Sequence, residues 1–129
     1  MLSRAVEDTE RAGLEQVAYI RASALEMPFR DQSFDAVCCF AALHLMPDPY
    51  DALDSMTRVL TPGGRIALFT SSRVRTTPLR TAEEVIGRRT GMRIFGEEEL
   101  IEALGERGFT EVRQRLAGLT QFVGGRLAS

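Results

Sequence analysis

Residues 34 to 71 carry the feature that most limits what this chain can become. An apolar run, FDAVCCF, is followed by a helical stretch, PYDALDSMTRVL, then by Thr-Pro-Gly-Gly and a second apolar run, RIALFT. Two strands joined through a helix are expected to lie parallel, because parallel neighbours need a crossover of a dozen residues or more. Phe34 to Phe40 is apolar apart from Asp35, the pattern of a strand buried on both faces. A Pro-Asp-Pro turn ends it, and Asp48 is placed to cap the helix. Ala52, Leu53, Met56, Val59 and Leu60 then recur on one helical face. Thr61-Pro62-Gly63-Gly64 stops the helix with a turn that needs φ > 0.

The flanking segments extend this unit. Leu2, Ala5, Val6, Thr9 and Ala12 fall at helical spacing, ending at Gly13, with no N-cap ahead of them. QVAYIRA, with Val17, Tyr19 and Ile20, reads as a short strand, and a loop from Ser23 to Ser33 follows. Residues 73–96 have the mixed composition of a variable insertion, with a helix expected over 81–88. Glu97 to Arg107 reads as a helix whose acidic first turn complements its dipole and which Gly108 closes. FTEVRQRLA and LTQFVGGRL are two final strands. The expected fold is one α/β domain over residues 1–129, a largely parallel sheet covered by helices, with an antiparallel hairpin at its C-terminal end.

A chain of 129 residues suits a single core, and a net charge of −2 gives no basic field toward nucleic acid or anionic lipid. All 16 basic residues are Arg, a compositional bias, and those between Arg73 and Arg93 lack interleaved aromatics and read as solvated. The two cysteines, Cys38 and Cys39, are adjacent, so on a strand they point to opposite faces and do not bridge. Two small buried apolar thiols suit a reducing cytoplasm, and no spacing suggests a metal site. No leader pattern and no apolar run of about 18 residues is present, so neither secretion nor a membrane span is expected.

Several of these pieces recur together in one family. Met27-Pro28-Phe29, Ser33-Phe34-Asp35, Leu43-His44 and Arg58-Val59-Leu60-Thr61-Pro62-Gly63-Gly64 stand in order, and GEEELIEALGERGF follows. The combination resembles the later part of the class I S-adenosylmethionine-dependent methyltransferases, nearest to the small-molecule branch related to ubiquinone and menaquinone biosynthesis. That resemblance implies a Rossmann-like sheet, S-adenosylmethionine as cofactor and a small organic substrate. It also implies that the loop around Pro28 lies along the adenine, stiffened by proline's fixed φ, and that Phe29 and Phe34 anchor both sides of its polar turn. Ligands in such sheets bind at the carboxyl ends of the strands.

Carried over position by position, the resemblance places Ser23 where the family has an acid on the adenine amino group. Ala24 would offer its backbone N–H to the ring. Phe40 has two readings, a lining for the methionine portion of the cofactor or a plain core aromatic. His44, the single histidine, likewise reads as a general base or substrate contact, or as a hydrogen-bonded structural residue. Asp35 is expected to hydrogen-bond local backbone.

The family's glycine-rich loop and its ribose-binding acid belong to two strands that would precede Leu2. No Gly-x-Gly occurs among the 11 glycines, so the chain reads as truncated at its N-terminus, and inactive by itself. The family's strand order is 3-2-1-4-5-7-6. Without strands 1 and 2, either strand 3 pairs with strand 4 or an edge stays open, and an open edge invites a homodimer or swapped assembly. A non-catalytic, methyltransferase-like subunit is the alternative expectation.

Overall fold

The computed structural model describes residues 1–73 and 91–129, so the helix expected over 81–88 lies outside the described residues. Helix α1 is Leu2–Ala12, strand β1 Phe34–Phe40, helix α2 Pro49–Val59 and strand β2 Leu60–Ser71. Helix α3 is Glu99–Glu106, and β3 (Phe109–Ala117) and β4 (Thr120–Leu127) form a hairpin. The sheet order is β1-β2-β4-β3, with β1 parallel to β2 and the other pairs antiparallel. This is the expected 4-5-7-6 half of the family's sheet.

One face of the sheet holds the core. Ala52, Leu53, Met56 and Val59 of α2 and Leu100, Ala103 and Leu104 of α3 are buried, as the helical spacing of these residues requires. All of these but Val59 share one apolar cluster with Cys39, Ile66, Leu68 and Val123, every second residue of their strands. Each fully buried leucine is worth about 1.5–3 kcal/mol relative to exposure, so this layer supplies most of the driving force. Asp48 occupies the N-cap position of α2, but its side chain makes no capping bond; Pro49 at the first helical position supplies the preset φ instead. Gly63 has φ 79°, and a Cβ on Gly64 would lie 2.8 Å from the Thr61 carbonyl oxygen, so the first glycine is needed for its dihedral and the second for its lack of bulk.

Three expectations need correction. QVAYIRA forms no strand: no strand pairs with it among the described residues, and Val17, Tyr19 and Ile20 are exposed. β1 is an edge strand with only Cys39 buried, not a strand covered on both sides, because neither a neighbour on its outer edge nor a layer on its second face is present among the described residues. Cys38 is consequently exposed while Cys39 is buried; the two are unbridged, and burial pushes the Cys39 thiol pKa up. Of the two outcomes foreseen for the missing pair of strands, the open edge is the one observed. No helix among the described residues is long and apolar enough to cross a membrane.

Candidate functional site

Because β1 and β2 run parallel, their carboxyl ends share one edge of the sheet. Phe40 ends β1 opposite Phe69, and Phe69 pairs in turn with Phe122 of β4. The Phe69 and Phe122 rings lie 4.5 Å apart, centroid to centroid, which makes a short aromatic row on the face away from the helices. Phe40 is 59% exposed, so the core-aromatic reading fails. It lines an open groove of about 320 Å³ with Phe122, Gly124 and Arg115.

Immediately past Phe40 the chain turns through Ala41 in the left-handed region, φ 55°, where its N–H donates to the Phe69 carbonyl at 2.8 Å. A non-glycine residue there costs on the order of 1 kcal/mol, and the strain sits where the strand meets its loop. His44 follows on the short 3-10 turn Leu43–Leu45. Its Nδ1 lies 3.1 Å from Oγ1 of Thr70, a buried hydroxyl near the carboxyl end of β2. The His44 carbonyl accepts from the Arg93 N–H at 2.8 Å, so ring and backbone are both held.

The loop bearing LEMPFRDQSF is held by a residue whose role its sequence context does not announce. Arg58, at the end of α2, donates to the Met27 and Phe29 carbonyls and to the Asp31 carboxylate, each at 2.8 Å. The Ser55 hydroxyl accepts from the Met27 N–H, and the Val59 carbonyl from the Ser33 N–H. Phe29 and Phe34 meet edge to face at 4.9 Å; they brace the turn against each other, although Phe34 is itself exposed and not in the core. Asp35 faces the Thr61 hydroxyl at 3.4 Å, so its partner is a side chain and not local backbone.

Ser23 and Ala24 stand at the start of that loop. The Ser23 hydroxyl already accepts from the Leu25 N–H, and its carbonyl from the Glu26 N–H, closing a small turn. Ala24 is half-buried against the core. No hydrogen bond or ring contact joins Ser23 or Ala24 to Phe40 or His44 among the described residues. The four candidates therefore form two pairs of surroundings: a turn at the loop's entry, and a ring and imidazole at the strand ends.

A third grouping ties the returning chain to the helices. Tyr50 donates its hydroxyl hydrogen to Glu99, and Arg93 reaches Glu99 at 2.6 Å while stacking over the Tyr50 and Phe95 rings. The Gly96 N–H donates to the other Glu99 oxygen at 2.8 Å. Burial works to raise the Glu99 carboxyl, but hydrogen bonds from Tyr50, Gly96 and Arg93, with the Arg93 charge, outweigh it and hold the pKa below the usual range. Burial, and then the bond to Glu99, pushes the Tyr50 phenol up. Residues 91–96 are thereby fixed above the carboxyl ends, with Ser71 donating to the Arg93 carbonyl at 2.7 Å.

For a nucleoside cofactor these groups make a partial fit. They offer an exposed aromatic ring, a hydroxyl already engaged, and an amide at Ala24 backed by apolar residues; the nearest acid in sequence, Glu26, is exposed and pairs with Ser23 through its backbone N–H. Sequence reasoning missed Thr70, Arg58 and the Tyr50–Glu99–Arg93 group. The only prior signal was that Arg58 belongs to a recurring motif; a hydroxyl buried in a strand and an Arg93–Tyr50 hydrogen bond across 43 positions leave no local pattern.

The methyltransferase-domain family profile matches residues 1–68. A demethylmenaquinone methyltransferase from Bacillus cytotoxicus is 39% identical over 72 residues, 56% of this chain and 30% of the relative, so the chain spans less than a third of that curated protein's length. In three dimensions, a candidate methyltransferase from Bacillus halodurans superposes with a TM-score of 0.83 at 19% identity, over 99% of this chain and 79% of that one. The [4+2]-cyclase SpnF superposes with a TM-score of 0.78 at 18% identity, over 98% of this chain and 62% of that one. At such identities the superpositions speak for the fold, and a cyclase among them is a reminder that one fold carries more than one chemistry. The matched profile covers more than half of the chain and the sheet order agrees with it: this chain belongs to the methyltransferase-domain family, class I, S-adenosylmethionine-dependent.

Proposed function

We propose that this chain carries the adenine-side and substrate-side half of a site that transfers a methyl group from S-adenosylmethionine to a small organic acceptor, and that by itself it is inactive. The observation that carries this reading is the pairing of an exposed Phe40 with a fixed His44 at the carboxyl ends of β1 and β2, beside an edge that no described strand covers. Phe40 would line the methionine portion of the cofactor, with Ser23 and Ala24 at the adenine. Methyl transfer from a sulfonium chiefly requires the acceptor held in line, so His44 serves as substrate contact or proton acceptor without being obligatory. The similarity to demethylmenaquinone methyltransferases supports a small organic acceptor.

The inactivity follows from the fit. Ser23 supplies no charge and its hydroxyl is already engaged, and no described residue matches the ribose-binding acid that the resemblance implies. Losing two or three hydrogen bonds of about 1–3 kcal/mol each weakens binding by orders of magnitude. Isothermal titration with S-adenosylmethionine is expected to show no saturable binding at micromolar ligand; a micromolar, one-to-one isotherm overturns the claim. A second reading, a non-catalytic subunit that self-associates, is favoured by the open edge of β1. A monomeric mass by light scattering across the micromolar range would remove it.

A further inference from the structure

Among the described residues no layer covers the sheet's second face, helix α1 is only partly covered, and their chemistries match. On that face, in register, stand Cys38, Ala67, Gly124 and Arg113, then Phe40, Phe69, Phe122 and Arg115. Phe40 is 59% and Phe122 47% exposed. Arg65 pairs with Arg126 at the far end of the same face. Arg65, Arg113, Arg115 and Arg126 are all exposed, and none makes an ion pair or side-chain hydrogen bond among the described residues. One acid, Glu111, shares the rim of the groove of about 380 Å³ beside them. An apolar centre bordered by four unpaired guanidinium groups calls for an apolar surface bordered by carboxylates.

Helix α1 is such a surface. It has no buried residue although Leu2, Ala5, Val6 and Thr9 align on one side: Leu2 is exposed, Ala5, Val6 and Thr9 are half-buried, and the Thr9 hydroxyl meets that of Tyr19. At 100° per residue, Asp8 flanks that stripe on one side and Glu10 on the other, while Arg4 and Arg11 lie across the helix from it. Asp8 has only a loose, exposed pairing with Arg11 at 3.7 Å. Eleven residues of helix span about 16 Å, and four strands at the usual spacing are about 14 Å across their axes, so the helix is long enough to cross the apolar centre.

We propose that α1 of a second copy of this chain docks on the Phe40–Phe69–Phe122 face, with Asp8 and Glu10 set against Arg113 and Arg115, and that the exchange is reciprocal. Isologous exchange uses the same two surfaces twice and closes at a dimer. The proposal shares self-association with the second reading above, but it does not depend on pairing along the β1 edge. It shares Phe40 with the proposed cofactor site, so the helix and S-adenosylmethionine would compete for that ring, and light scattering without ligand tests the helix alone.

Charge reversal separates these possibilities. By light scattering, the chain is expected to be a dimer, and Arg113→Glu with Arg115→Glu is expected to give monomer. Asp8→Arg with Glu10→Arg is expected to do the same. Mixing the two variants, or combining all four changes in one chain, is expected to restore the dimer; two unfolded variants would restore nothing. A native chain that is monomeric overturns the proposal. So does a dimer that ignores both reversals, the result edge pairing or another occupant of the face would give, and so do reversed charges that fail to rescue each other.

Discussion

The two faces of the one sheet were written in the same apolar language and ended differently. Toward α2 and α3, Cys39, Ile66, Leu68 and Val123 are almost wholly withdrawn from solvent. Their neighbours one residue along, Phe40, Ala67, Phe69 and Phe122, face outward, with a Phe40 ring more than half exposed. Strands of parallel α/β sheets carry apolar residues at every position because both faces are covered. FDAVCCF is therefore the sequence of a two-sided strand that the described residues cover on one side. What the difference teaches is that hydrophobic pattern reports the environment a segment is suited to, and the fold shows whether that environment is supplied.

The largest test of this contrast is a pair of truncations. Leu68→Ala removes a buried side chain between the sheet and the helices and is expected to cost about 2–5 kcal/mol, read by chemical denaturation. Phe122→Ala, at dilutions where the chain is monomeric, is expected to cost about 1 kcal/mol, chiefly the ring pair with Phe69. Equal costs would mean that the second face is as well packed as the first.

A smaller effect sharpens the covered side. The Glu99 carboxyl is held below its unfolded value, so its contribution to stability is present above the ordinary carboxylate pKa of about 4.3 and is lost as pH falls through the lower, folded value. Denaturation midpoints are expected to fall on acidification below about pH 4.3, and to fall less steeply in Glu99→Gln. An unchanged acid slope in the variant would show that the Tyr50–Arg93–Glu99 group does not hold residues 91–96.

Legibility in the sequence followed the same division. Helix α2, α3 and the β3–β4 hairpin could be read, because local spacing and partner agreed; Leu60, expected on the helix face, and Thr61–Gly64, expected as a turn, instead open β2, where Leu60 pairs with Phe34. QVAYIRA could not: its alternation is that of a strand, but a strand exists only with a neighbour, and none stands beside it among the described residues. Phe40 and His44 were identified through family resemblance alone. Their surroundings, the strained Ala41, the Thr70 hydroxyl and the returning Arg93, were invisible because each arises from contacts across 26 to 49 positions. Arg58 lies between. Its motif was recognisable, but that it clamps the Met27–Phe29 loop emerges only in three dimensions.

The central claim is that the strand ends hold half a cofactor site. It is tested most directly by following backbone and ring resonances while S-adenosylmethionine is titrated. The account predicts small shifts confined to Ser23, Ala24, Phe40 and His44 that grow without saturating through the micromolar range. Saturation there, or a tight complex whose shifts avoid these four residues, would contradict it.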